Sequence, residues 1–329
     1  MEINPYISFV TVARNDNYGG DFLDRINHFV ENIIVLSERY KLPAELLIVE
    51  WNPPLDKSRL RDAISWPSIQ RRYIDVKIVE VPNYIHLQML NPENLFLFEY
   101  IGKNVGVKRA KGEYILTTNP DTLFNHNLME FLAAQNLHKD SFYRIDRYDV
   151  KKPVPYSTTD NKLDYCMKNV IKVNGYYWSS FNPGTSGKYW RCKQLKAFAL
   201  YSIKRASLFP FVPPHVNASG DFLLMHRSQW DKIRGFPEFE TQGKPHHIDN
   251  LIIRNVLFSG LKQVILKDPL RLYHIDHGRI EPTKPRSLVV HNAFEQLNNK
   301  REFIIFNDEW GLQDFDLPFT NLQEHVLMK

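Results

Sequence analysis

Apolar and polar positions along this chain switch repeatedly between the two-residue period of a strand and the longer period of a helix. The run "YISFVTVA" is β-rich and ends in the polar cluster "RNDNYGGD", after which Phe22, Ile26, Phe29, Ile33 and Tyr40 recur at helical spacing behind Asp21 as a cap. "AELLIVEW" predicts a second buried strand stopped by "NPP", and "DVKIVEVP" a third stopped by Pro82. "FEYIGKNVGVKRAKG" predicts a helix rich in Lys and Arg that Gly112 closes, and "EYILTT" a fourth strand. Strands alternating with helices imply an α/β fold with a mostly parallel central sheet, whose ligands bind beyond the carboxyl ends of the strands. Each polar cluster just named lies at such an end.

The second half is less regular. Between Val150 and Pro214 a polar and aromatic stretch holds "NGYYWSSFNPGTSGKYW", a composition that suits either a loop-built groove stacking on sugar faces or ordinary packed loops. Regularity returns with "GDFLLMHRSQWDKIRGFPEF" and with a helix over "IDNLIIRNVLFSG", where Ile248, Leu251, Ile252 and Val256 share one side and Gly260 is the stop. A strand "QVILKD" and the His-rich "YHIDHG" follow. Beyond Gly278 the pattern predicts one amphipathic helix near "SLVVHNAFEQLNNK" and an aromatic end packing back on the body.

Composition narrows the class. With 329 residues, 43% hydrophobic and 13% aromatic, the chain can bury a sizeable core. Its apolar runs are all broken by Asn, Glu or Arg well short of the roughly 20 residues that cross a bilayer. The first residues, "MEINPYISFVTVARND", lack the features of a secretory signal, so a cytoplasmic site of action is expected and the "NAS" sequon at Asn217 carries no weight there. Cys166 and Cys192 form neither a disulfide framework nor a zinc motif and are expected to pack. Forty-two Lys plus Arg against 37 Asp plus Glu give a formal net charge of +5, too mild and dispersed for a nucleic-acid binder. It suits a phosphate-bearing small ligand, or peripheral contact with an anionic membrane.

Candidate chemistry concentrates at "TTNPDTLF". A carboxylate just past a strand, Asp121, can hold a divalent cation that neutralises a diphosphate; equally, Asn-Pro-Asp-Thr forms a turn on its own account.

The order of motifs adds to this. Lys103-Asn104-x-Gly106, Ala110-Lys111-Gly112-Glu113-Tyr114 and Asn119-Pro120-Asp121 resemble the segment of GT-A glycosyltransferases, family 2 and its relatives, that reads Arg-Asn-x-Gly, Ala-x-Gly-Glu-Tyr and then D-x-D. "FVTVARND" resembles that family's first strand and loop, and "ELLIVEWNPP" its second strand, which makes Glu50 the acid that contacts the nucleotide base. "SGDFLLMHRSQWDKIRGFPEF" is similar to its acceptor-side motif. The resemblance runs from about residue 6 to 277, weakly over 83–95 and 150–215. It implies a GT-A, Rossmann-like fold with one catalytic domain over 1–277, divided into a nucleotide-sugar-binding half (1–121) and an irregular acceptor half (122–277). Residues 278–329 are then a helical tail packing on the body.

By the same resemblance, Ala13, Arg14, Asp16, Glu50, Lys103, Asn104, Asn119 and Asp121 are donor-binding, and Gly220 and Asp221 face the acceptor or sugar. Asn119 departs from the motif, its neutral amide being a weaker metal ligand than Asp. A second ligand for Mn2+, or Mg2+, then comes from His274 or His277, with Mn2+ the more natural partner of an imidazole. Surface-loop histidines remain the plain alternative. "KPHHIDNLIIRNVLFSGLK" resembles the family's Glu-Asp-x-x-Leu-x-x-Arg-x-x-x-x-Gly pattern, which puts Asp249 at the catalytic base, although Ile248 replaces the Glu and a helix cap would use Asp249 as well. Arg14, Lys103, Lys108, Arg109 and Lys111 are available to a leaving diphosphate, Arg14 and Lys103 by motif position.

The implied activity, glycan-building transfer of a hexose from a nucleotide-diphosphate sugar (UDP-sugar first) to an acceptor hydroxyl, is inverting and cation-dependent. Two alternatives stand beside it: a nucleotidyltransferase, and a catalytically inactive carbohydrate-binding protein on the same fold. A dehydrogenase is excluded for want of G-x-G-x-x-G after a strand.

Overall fold

The computed structural model describes residues 4–89, 92–174, 176–177, 214–217, 220–239, 248–278 and 288–322. Most of the aromatic stretch proposed as a groove, Cys192 and the centre of the Asn217 sequon lie outside the described residues. The strands are β1 Ile7–Ala13, β2 Ala44–Trp51, β3 Ile74–Val81, β4 Tyr114–Thr117, β5 Thr122–Phe124, β6 Ser141–Ile145, β7 Arg147–Val150, β8 Val170–Val173, β9 Tyr176–Tyr177, β10 Leu223–His226, β11 Lys262–Leu266, β12 Leu272–Ile275 and β13 Phe319–Asn321.

They form an α/β architecture with two sheets. The central one runs β11-β6-β10-β4-β1-β2-β3-β13, and a second runs β5-β12-β7-β8-β9. In the central sheet β1, β2, β3 and β4 are parallel, as are β6 and β11, while β10 and β13 pair antiparallel with their neighbours. β1 and β2 are buried along their whole length, as expected of strands covered on both faces. Their alternation decides which core each residue joins. Ile7, Phe9, Leu46 and Ile48 pack with helix Phe22–Arg39, whereas Val10, Val12, Leu47 and Val49 pack on the other face, with helix Glu99–Arg109.

That second helix sits unusually close to the sheet. A Cβ on Gly102 would lie 2.7 Å from Val12 Cγ1, and one on Gly106 would press still harder on Val10. Two glycines one turn apart therefore let the backbone approach β1 and β2 directly and carry Lys103, between them in sequence, in to the ends of the strands.

The chain passes from one sheet to the other at Asp146, between β6 and β7. This carboxylate accepts a hydrogen bond from Asn174 Nδ2 at 2.8 Å and lies 2.8 Å from His215 Nε2. Cys166 is buried in the core, where desolvation pushes its thiol up to about 12, in keeping with a packing role.

The C-terminal region does more than lay a helix on the body. Helix Leu288–Lys300 packs on helix Ile248–Phe258, and β13 then adds a strand to the central sheet, Phe319 facing Val79. Trp310 is buried under the cationic end of helix Glu99–Arg109, with Lys108 Nζ 4.6 Å from its ring centre, and Arg109 donates to the carbonyls of Gly311, Leu312 and Phe315. Lys108 and Arg109, two of the cations considered for a leaving diphosphate, are thus anchors for this segment. Among the described residues no helix is long and apolar enough to cross a membrane.

Candidate functional site

Asp121, His274 and His277 converge, the ligand atoms they offer lying within 4.8 Å of one another. Register explains the meeting. β12 runs antiparallel to β5 and parallel to β7, so His274 faces Thr122 on one side and Asp149 on the other. The N–H of Ile275 donates to Asp121 O at 2.9 Å, locking the two segments together. His274 lies within β12, where the sequence pattern puts it after a strand, because both pairings continue through its position; His277 lies beyond the strand.

Distances define the cluster. Asp121 Oδ2 lies 3.1 Å from His277 Nε2, 3.7 Å from His274 Nε2 and 3.0 Å from Arg25 Nη1. His274 Nδ1 is 2.8 Å from Asp149 Oδ1. Burial pushes the Asp121 carboxyl up, but His274, His277 and Arg25 outweigh it and hold the group well below the usual carboxylate range. Burial likewise opposes charge on His274, and Asp121 and Asp149 outweigh it, raising the imidazole above its ordinary value.

Among the described residues this group fits a divalent cation on three counts. Asp121 Oδ1 is buried without a hydrogen-bond partner, which a native interior rarely leaves. The donor set is one carboxylate and two imidazoles, which suits Mn2+ better than Mg2+. A carboxylate on the far nitrogen of His274 orients that ring and raises its basicity, as partners of metal-bound histidines do.

A polar network runs from this cluster to four of the other sequence-predicted residues, Asp221, Asn119, Lys103 and Gly220. Arg147 Nε lies 3.0 Å from Asp149 Oδ1, and its Nη1 donates to Asp221 Oδ2 at 2.9 Å. Asn119 Nδ2 donates to Asp221 Oδ1 at 2.7 Å, and Lys103 Nζ donates to Asn119 Oδ1 at 2.8 Å. Lys103 is fully buried and reaches Glu99 Oε1 at 2.6 Å and the carbonyl of Gly220 at 2.8 Å as well. Asn119, in the place of the first D-x-D acid, thus has both amide atoms engaged within the protein. A side chain at Gly220 would meet only ordinary contacts, so space does not demand the glycine.

The remaining donor-side residues gather at the ends of β1 and β2, where Ala13 pairs with Glu50. Arg14 donates from Nε to Asn52 O at 2.7 Å and from Nη1 to Asp16 at 2.8 Å, and its guanidinium lies 5.2 Å from the ring centre of Phe96. Glu50 is buried, with Oε1 accepting the N–H of Leu60 at 2.9 Å. Asn104 is directed elsewhere. It donates to Phe236 O and Glu238 Oε1 and accepts from Phe236 N, holding the Gly-Phe turn against the helix.

Asp249 occupies the first turn of helix Ile248–Phe258, with Oδ1 accepting the N–H of Asn250 at 2.8 Å. Its charge and that of Asp221 act on the same buried Arg144, which desolvation brings down to about 10, and on Tyr100. Ile248, in place of the expected Glu, is buried in the core. Arg254 bonds Asn250 and Asn298 and stacks on Phe294, tying this helix to the C-terminal one.

Three charged residues central to the cluster escape the motif pattern: Arg25, Arg147 and Asp149. A signal for each exists. Arg25 falls on the buried stripe with Phe22 and Phe29, and "RIDRYDV" sets charges at two-residue spacing within a strand-like run.

No family model matches the chain, and no curated protein matches it. Among solved structures it is similar to TarS of S. aureus, a glycosyltransferase, at a TM-score of 0.40 and 12% identity. The match covers 82% of this chain and 36% of that one, so the chain spans about a third of the length of that protein. At that TM-score the likeness carries no argument about chemistry.

Proposed function

We propose that this chain is a glycosyltransferase that moves a sugar from a nucleotide-diphosphate donor to an acceptor hydroxyl. The observation that carries this reading is the convergence of Asp121, His274 and His277, with a buried unpartnered carboxylate oxygen, next to the carboxyl ends of the parallel strands β1 and β4. Asp121, His274 and His277 would hold Mn2+, which when bound neutralises charge on the donor diphosphate.

The polypeptide's own groups divide the remaining work. Arg14, Asp16 and Glu50 border the place where base and ribose lie. Lys103 and Asn119, bonded to each other and to the 220–221 turn, keep that turn against the end of β4. Asp249 takes the proton from the acceptor hydroxyl. The oxygen of that acceptor hydroxyl then forms the new bond to the anomeric carbon as the bond from that carbon to the diphosphate breaks, and the diphosphate leaves with the electron pair. Attack opposite the leaving group inverts the configuration.

The test is a thermal-shift panel of UDP-, GDP-, CMP- and dTDP-sugars with and without Mn2+. A ligand of the folded state at a hundred times its Kd adds about 2.7 kcal/mol. One nucleotide class is expected to raise Tm only with Mn2+. Asp121→Asn removes that shift; Asp249→Asn keeps it while transfer to acceptor is lost. An unchanged shift in Asp121→Asn would overturn the cation assignment, and no shift with any donor would favour a carbohydrate-binding protein without turnover.

A further inference from the structure

Arg25 is buried, 3% exposed, and faces the cation cluster from helix Phe22–Arg39. Its Nη1 lies 3.0 Å from Asp121 Oδ2, while Nη2 donates to the carbonyls of Tyr18 and Gly20 and Nε donates to Gly20 O at 3.3 Å. The guanidinium is therefore fixed on both sides, by the carboxylate and by the loop ahead of its own helix. That loop lies on the same cluster: a Cβ on Gly19 would come within 2.5 Å of His277 Nδ1, and the Tyr18 and His277 rings are 5.7 Å apart.

Charge makes this placement consequential. A site with two acids offers a divalent cation two negative charges, but here the other motif position is Asn119, which carries none. Asp149 faces His274 and Arg147, and Asp221 faces Arg147 and Asn119. Among the described residues, the carboxylate left to the cation is Asp121, which is already compensated by a buried guanidinium, and a divalent ion entering beside it meets a fixed like charge in a poorly screened interior.

We infer that Arg25 makes cation binding conditional on a nucleoside diphosphate. The free protein holds Mn2+ weakly because Arg25 neutralises Asp121; the diphosphate brings the missing negative charge, and cation and nucleotide enter together. This inference rests on the cation-site reading above. It assigns Arg25 as a positioning residue that sets the order and coupling of binding.

Equilibrium dialysis with metal analysis tests it, because protein-bound Mn2+ is read directly and UDP or GDP equilibrates across the membrane. Wild type is expected to retain little Mn2+ alone and much more with the nucleotide that fits. Arg25→Gln is expected to bind Mn2+ alone at least about tenfold more tightly than wild type, and adding Asp121→Asn to abolish that gain. Equal Mn2+ affinity in Arg25→Gln and wild type, with wild type still responding to nucleotide, overturns the role of Arg25 and leaves the cation site intact. Failure of wild type to retain Mn2+ with either nucleotide overturns both. Should Arg25→Gln not fold, Arg25→Lys keeps the charge and is expected to bind Mn2+ alone no more tightly than wild type; tighter binding there also overturns the inference.

Discussion

At the scale of single residues, the site is set by where charge is buried and by what compensates it. Glu50 gives the sharpest example. At the end of β2, burial pushes its carboxyl up to about 7; the N–H of Leu60 opposes this, and Glu80, its neighbour in register on β3, adds to it. The native state thus binds this proton more tightly than the unfolded chain, whose value is 4.5. The associated stability is fully present below the unfolded value and is lost as pH rises through the folded one. Urea unfolding near pH 5 and near pH 8 is expected to show wild type losing stability between them, with Glu50→Gln removing on the order of 2 kcal/mol of that loss. An identical loss in the variant would mean that Glu50 ionises freely in the native protein. Sequence alone reached Asp121, His274 and His277 because each sits in a recognisable order of motifs. It passed over Arg25, Arg147 and Asp149 because what makes them important is a partner far away in sequence, ninety-six residues for the Arg25–Asp121 pair.

At the scale of elements, strands β1 to β4 and the two long helices among them were legible, whereas β5, helix His126–Ala133, β6 and β7 were not. Periodicity there reflects burial on two faces, and turns at the strand ends have their own chemistry. The depth at which each element packs was not legible, since it depends on the facing surface. Helix Glu99–Arg109 illustrates this: its composition reads as solvated and basic, yet Lys103 is fully buried because Gly102 and Gly106 let the backbone approach the sheet. Gly106→Ala should gain about 1 kcal/mol of helix propensity and lose more to overpacking against Val10, for a net destabilisation of about 1–2 kcal/mol by denaturant titration. The same substitution should also move Lys103 off Asn119 and Gly220, lowering donor affinity. A stabilised Gly106→Ala protein would show that the helix can retreat without cost.

At the scale of the whole molecule, the C-terminal region is part of the central architecture. Trp310 is 4% exposed and packs against the turn at Gly235, with Lys108 over its ring. Trp310→Ala is expected to cost about 3–5 kcal/mol in a single cooperative transition with an unchanged denaturant slope; a loss below about 1 kcal/mol would make the segment an appendage. Its pattern predicts a helix and little more, because three residues joining a sheet leave almost no periodic trace. Those three residues have a further consequence. Without β13, the edge of the strand Ile74–Val81 that faces away from β2 would present unpaired backbone N–H and C=O groups, the arrangement on which a second chain can template itself. During synthesis that border stays open from the emergence of β3 until β13 follows it much later in the chain, so protection against self-association comes long after the strand that needs it.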